Sequence, residues 1–325
     1  MSSGTLVSRL SSKNVIYAAI AGDLLIGVAK FTAAAATGSS AMFSEGMHSF
    51  ADTGNGLLVL YGLHRAGARP DRDHPFGYGR EIYFWSFIVA VLLFALGAGA
   101  SLYQGISHLV SPEPVQHVAA NYLILGLSAV FDGTTWWLAL RNFRGKLPYS
   151  ELLTAVHNSK DPPSFLVLFE DSAALIGLLF AFAGIYLSVK LDLPVLDSVG
   201  SILVGLVLAV TAFLVARETK SLLIGERADD AIVDSILEIA NGMHGVAHAN
   251  GVLTVHLAPR QIVAALSLEF ADELTVPIIE AKVLELEQRV RRTHPDVVAV
   301  FIKPQSQTGF KDAAQRRFES FTDPG

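Results

Sequence analysis

His48 and Asp52 stand four residues apart in a stretch otherwise apolar enough for the interior of a bilayer. On a helix that spacing puts an imidazole and a carboxylate on one face, one turn apart. Such a pair is half of a tetrahedral site for Zn²⁺, which takes nitrogen and oxygen ligands. It serves equally as a hydrogen-bonded tie between helices, and the spacing by itself allows both readings. Glu170 and Asp171 form a second acidic pair in another apolar stretch. Adjacent positions diverge by about 100° around a helix, so the two carboxylates cannot fully share a face. One can ligate while the other takes a structural hydrogen bond or carries protons. Asp23 and Asp132 are two more carboxylates in apolar surroundings, open to function or to bonds with Ser, Thr or Trp donors. Asn55, about one turn beyond Asp52, is placed to support it. Ionisable side chains in lipid are costly, so these positions are where function is to be sought.

Six segments have the length and apolar content to carry them across a bilayer: 15–36, 41–63, 82–106, 118–140, 164–187 and 199–215. Hydrophobic residues make up 51% of the 325, and charged residues only 17%. That balance predicts an integral membrane protein. The excess of 30 acidic over 24 basic residues leaves no broad cationic surface for nucleic acid. The absence of cysteine removes disulfides, thiolate metal sites and cysteine nucleophiles. The opening MSSGTLVSRLSSKN does not read as a cleaved signal peptide.

Lys and Arg then orient the spans. Arg9 and Lys13 precede the first; Arg65, Arg69, Arg72 and Arg80 fill the loop after the second; Arg141, Arg144, Lys146 and Lys160 follow the fourth; Arg217 and Lys220 follow the sixth. The alternate loops hold one lysine among them. The charge bias predicts an even number of spans with both termini cytoplasmic. Three parts are expected: a six-helix transmembrane domain over 1–216, a small cytoplasmic α+β domain over 217–304, and a polar, flexible tail over 305–325. The middle part reads as helix 228–241, strand 252–257, strand 263–270, helix 276–292 and strand 297–302. This αββαβ order predicts a ferredoxin-like layer of helix over sheet.

The run FSEGMHSFADTGNG, the loop His74-Pro75-Phe76-Gly77-Tyr78-Gly79-Arg80 and the segment EDSAALIGLLFAFAGIYLS, with Asp171, Gly177 and Tyr186, resemble the signature of the cation diffusion facilitators. The likeness extends over the spans, the basic loops and the tail to about Pro304, and is greatest to the zinc transporter nine branch. It implies a homodimeric exporter in which Zn²⁺, or Fe²⁺, Co²⁺, Mn²⁺ or Cd²⁺, binds between the second and fifth spans and leaves the cytoplasm in exchange for H⁺. The ligand set it implies is His48, Asp52 and Asp171, with Glu170, a water or a rotated fifth span supplying the fourth group. Two positions depart from the pattern. Val167 stands where the family has a second fifth-span ligand, and Tyr78 replaces the loop's second histidine. The first departure keeps an alternative open, a transport-impaired metal sensor or scaffold. The second weakens a loop site made of His74 with Asp71 or Asp73. His244, His248, His256 and His294 are candidates for regulatory metal sites, with ordinary surface or core roles as the competing reading. His157 and Asp161 could guide ions to the mouth.

Proton exchange has a direct physical basis, since a metal ion and protons compete for the same imidazole and carboxylate lone pairs. No His-Glu-x-x-His metalloprotease motif, nucleophile beside a base or Gly-rich phosphate loop is present, so no enzyme is expected. Nucleic acid is not an expected partner; the bilayer, divalent cations and protons are. The compact chain points to a prokaryotic plasma membrane.

Overall fold

The computed structural model describes residues 3–112, 114–144, 148 and 159–322. Lys146 and His157 lie outside them. The chain divides into two compact units, Met1–Lys220 and Ser221–Gly325.

The first unit is helical. Its elements are α1 (Ser3–Thr37), α2 (Ser40–Ala66), α3 (Glu81–Val110), α4 (Val118–Arg144), α5 (Pro162–Leu191) and α6 (Val195–Ile224). Five are long and apolar enough to cross a membrane: α1 over Ile20–Thr37, then α3, α4, α5 and α6. The expected second span is a helix of 27 residues, but it stands apart from those five. The reason is visible in its sequence: Ser40, Ser44, Glu45, His48, Ser49, Thr53 and Asn55 are all buried in the bundle. A helix that turns polar groups inward loses the mean apolar character by which a span is recognised.

Small residues let the helices approach closely. A Cβ on Gly184 of α5 would come within 3.0 Å of the Cα of Gly200 on α6, and one on Gly205 would lie 2.8 Å from Leu102 of α3. Such contacts substitute for the hydrophobic drive that helices lack in lipid. Leu93, Leu178, Ile185, Val204 and Leu208 fill the space between them. Within α3, Leu93–Ala98 forms a π-helical turn that periodicity does not disclose.

The second unit runs α7 (Asp230–Asn241), β1 (Val246–Ala258), β2 (Gln261–Phe270), α8 (Val276–Thr293), β3 (Val297–Pro304) and α9 (Gln307–Thr322). The strands form one sheet in the order β1-β2-β3, with β1 and β2 antiparallel and β2 and β3 parallel. The parallel step needs a crossover, and α8 supplies it. Ile236 from α7, Ile262, Leu266 and Leu268 from β2, Leu286 and Val290 from α8, and Val297 share one core. Strand β1 begins five residues before the alternation in Gly251-Val252-Leu253-Thr254 declares itself, because register shifts beside His248 and Gly251 interrupt the pattern. Within the stretch expected to be a flexible polar tail, Gln307–Thr322 forms the helix α9. Phe310 anchors it at Gly251, where a Cβ would lie 2.8 Å from the ring.

Candidate functional site

The first turn of α2 is fixed from a distance. Asp197, in the first turn of α6, accepts from the Ser39 hydroxyl (2.7 Å), the Ser40 backbone N–H (2.6 Å) and the Ser40 hydroxyl (2.8 Å). The donors at a helix start lack partners inside the helix, and a carboxylate there also meets the positive end of the dipole. Ser39 in turn caps Met42 N–H at 3.2 Å. The register of α2, and with it the depth of every polar residue along the helix, is thus tied to α6.

From that end, Glu45, His48, Asp52 and Asn55 follow one another along a single inward stripe. His48 is 1% exposed, and its Nδ1 lies 3.6 Å from Asp52 Oδ1. That separation is too long for a hydrogen bond. Both ring nitrogens of His48 and the Oδ1 of Asp52 are buried without a hydrogen-bond partner. Asp171 stands on α5, which packs against α2, and the nearby Thr135 hydroxyl of α4 donates to the Asp132 carbonyl at 2.9 Å. Asp171 Oδ2 is buried and unpartnered. Buried polar atoms ordinarily find partners; four nitrogen and oxygen atoms on these three residues have none.

The other predicted residues fall as follows. Glu170 is buried and accepts from Asn55 Nδ2 at 2.6 Å, so Asn55 engages Glu170 rather than Asp52. Of the acidic pair, Asp171 keeps the open oxygen and Glu170 takes the structural bond. Val167 is 44% exposed on the outer side of α5. The structure brings His48 and Asp52 together; among the described residues no three His, Asp or Glu side chains gather closely enough to hold an ion.

Side-chain hydrogen bonds knit the loop after α2. Asp71 accepts from Tyr78 Oη at 2.6 Å and from the His74 backbone N–H at 2.7 Å. Those two bonds hold its carboxyl below the usual range and push the Tyr78 phenol up. The His74 ring packs on Tyr78 at 4.2 Å, and Arg65 lies over the same ring. Tyr78 therefore engages Asp71, one of the two carboxylates a loop site would draw on, while the His74 Nδ1 lies 3.4 Å from the same carboxylate. Asp161 accepts from the Ser164 hydroxyl at 2.5 Å at the start of α5.

In the second unit the histidines have separate surroundings. His256 is buried with Nδ1 at 3.3 Å from the Ala258 carbonyl, His294 meets the Ser235 hydroxyl at 2.8 Å, and His248 faces Gln307. His244 is exposed.

Lys30 and Glu45 do not stand out in the sequence beside the other charges, yet both are fully buried and joined at 3.0 Å. The readable signal was their position: opposite charges at similar distances on either side of the Gly38-Ser39 turn, which a helical hairpin brings to one depth.

A family model described as the cation efflux transmembrane domain matches residues 16–224. The chain is 32% identical over 274 residues to the proton-coupled zinc antiporter SLC30A9, mitochondrial, of Xenopus laevis, covering 82% of this chain and 49% of that protein. It is 30% identical over 230 residues to metal tolerance protein C4 of Arabidopsis thaliana, covering 70% and 50%. It is 26% identical over 277 residues to magnetosome protein MamB of a Magnetospira strain, covering 82% and 88%. The chain thus spans about half the length of the first two relatives. The vertebrate relative's name says mitochondrial, which lends the expected prokaryotic plasma membrane no support.

Proposed function

The chain belongs to the cation efflux family of membrane transporters, and from that premise we propose that it exports a divalent cation, zinc first, in exchange for protons. In this reading α2 completes the set of six spans, turning its polar groups inward and exposing Phe50, Leu57 and Tyr61, and both termini face the cytoplasm. Two copies form the working unit. His48, Asp52 and Asp171 contact the ion, and Glu170 stands behind them as a support group held by Asn55.

One observation carries the reading. His48, Asp52 and Asp171 present orphaned, buried nitrogen and oxygen atoms on two packed helices. A divalent ion would satisfy them, and two carboxylates with one neutral imidazole balance its charge. A site with imidazole suits zinc better than Mg²⁺ or Ca²⁺, which prefer shells of oxygen. Binding requires the same groups to be free of protons, so protons arriving from the far side displace the ion. The zinc antiporter named among the relatives supports the same cargo and the same coupling.

The test is flux of Zn²⁺, Co²⁺, Fe²⁺, Mn²⁺ and Cd²⁺ into proteoliposomes holding the full chain. Zn²⁺ uptake above protein-free vesicles is expected. Tight binding with no uptake would instead support a transport-impaired sensor.

The support role of Glu170 carries its own expected outcome. Glu170→Gln should weaken Zn²⁺ affinity by about 10-fold, the lower end of what outer groups contribute at metal sites. Val167→His should leave affinity unchanged, because position 167 faces outward. Zinc titration of the two purified variants checks both. A tighter site in Val167→His would mean that α5 rotates to bring that position inward.

A further inference from the structure

Among the described residues Lys30 is the one buried lysine or arginine. Its ammonium lies across two turns of α2, donating to Glu45 Oε2 and to the Ser49 hydroxyl, each at 3.0 Å. Glu45 and Ser49 flank His48 along α2, so the ammonium sits within a turn of the His48–Asp52 pair. Glu45 is not used up by this bond. Its other oxygen, Oε1, is buried without a partner and points at Gly177 of α5, where a Cβ would lie only 2.6 Å away. Glycine at 177 is therefore what admits the carboxylate between α2 and α5, one turn from His48.

A salt bridge that merely tied α1 to α2 would be an expensive choice here, since desolvating two charges costs about as much as their attraction returns. A cluster of carboxylates that must alternate between holding a divalent ion and releasing it has a different need. It requires positive charge when the ion is gone, and some opposition to the ion when it is present. We propose that the Lys30 ammonium is a tethered counter-cation for the carboxylates of the transport site, held at Glu45, that compensates them between loads and limits how tightly the cargo binds. This rests on the assignment of His48, Asp52 and Asp171 to the ion. Lys30 acts through charge and does not contact the ion; it is a positioning residue.

The two partners must then act on affinity in opposite directions. Lys30→Met removes a repelling charge and frees Glu45, and should tighten Zn²⁺ binding by about 10-fold. Glu45→Gln leaves the ammonium unopposed and should weaken binding by about 10-fold. Lys30→Arg keeps the charge and should restore most of the parent affinity. The swapped variant K30E/E45K preserves an ion pair, and so guards against a single variant that fails to fold. With the cation now carried by α2, one turn from His48, its binding should be weaker than the parent's by about 10-fold or more.

The experiment is isothermal titration of Zn²⁺ into the full chain in detergent, for the parent and all four variants. Opposite shifts for Lys30→Met and Glu45→Gln, with a weakened swap, support the counter-cation. Parent-like affinity in the swap, or shifts of one sign in the two single variants, would make the pair a structural tie and overturn the inference alone. A parent that binds no Zn²⁺ would overturn the transport site itself, and the counter-cation with it.

Discussion

Replacing His48 or Asp52 by alanine should lower zinc flux by more than about 100-fold, beyond the 10–100-fold range of groups that only support a metal site. The protein should still fold in both cases. The nitrogens of His48 and the Oδ1 of Asp52 have no hydrogen-bond partners in the bundle. Their removal therefore leaves no other polar group unsatisfied, which is the usual source of a large penalty at a buried polar position. What remains is a small loss of packing on a helix anchored elsewhere. Flux in proteoliposomes, set beside the thermal unfolding midpoint of the same preparations, reads both quantities. Parent-level flux in either variant would remove the α2 site from the mechanism.

Asp197→Ala should do the reverse, destabilising the bundle while leaving every candidate ligand in place. The carboxylate serves Ser39 and Ser40 through three short bonds and reaches the Ala41 N–H at 3.4 Å. Without it those donors stay buried at the start of a helix with nothing to meet. Loss of a cap together with charged hydrogen bonds is expected to cost about 2–4 kcal/mol. Asp197→Asn, which keeps an acceptor oxygen, should cost less. Stability measured by thermal or denaturant unfolding in detergent separates the two substitutions. An alanine variant as stable as the parent would show that α2 holds its register by other means.

The contrast between these two positions tracks what the sequence discloses. The pairing of His48 with Asp52 is local: four residues on a helix fix their common face wherever the helix sits. The long apolar stretches and the α7-β1-β2-α8-β3 order were legible for the same reason, since each rests on a period within one segment. Asp197 is 157 positions from Ser40, and no local pattern links them. Lys30 and Glu45 occupy an intermediate place, readable only once the Gly38 turn is taken as a hairpin. The choice between Glu170 and Asp171 was open in the sequence because it depends on which carboxylate meets Asn55 across the α2–α5 contact. The polar groups that α2 turns inward set it apart from the five long apolar helices, although 41–63 reads as a span in the sequence. The helix α9 was hidden because the contact that seats it, Phe310 at a glycine of β1, joins positions far apart in sequence.

Coupling between the two ions is the centre of the mechanism, and a pH gradient imposed across proteoliposomes tests it most directly. Vesicles with an acidic interior, holding a zinc-sensitive dye inside, receive external Zn²⁺ while interior pH is followed in parallel. Exchange predicts that the gradient accelerates zinc entry, that the interior becomes more alkaline as zinc arrives, and that both signals vanish in Asp52→Ala. Zinc entry indifferent to the gradient, with no movement of protons, would contradict it.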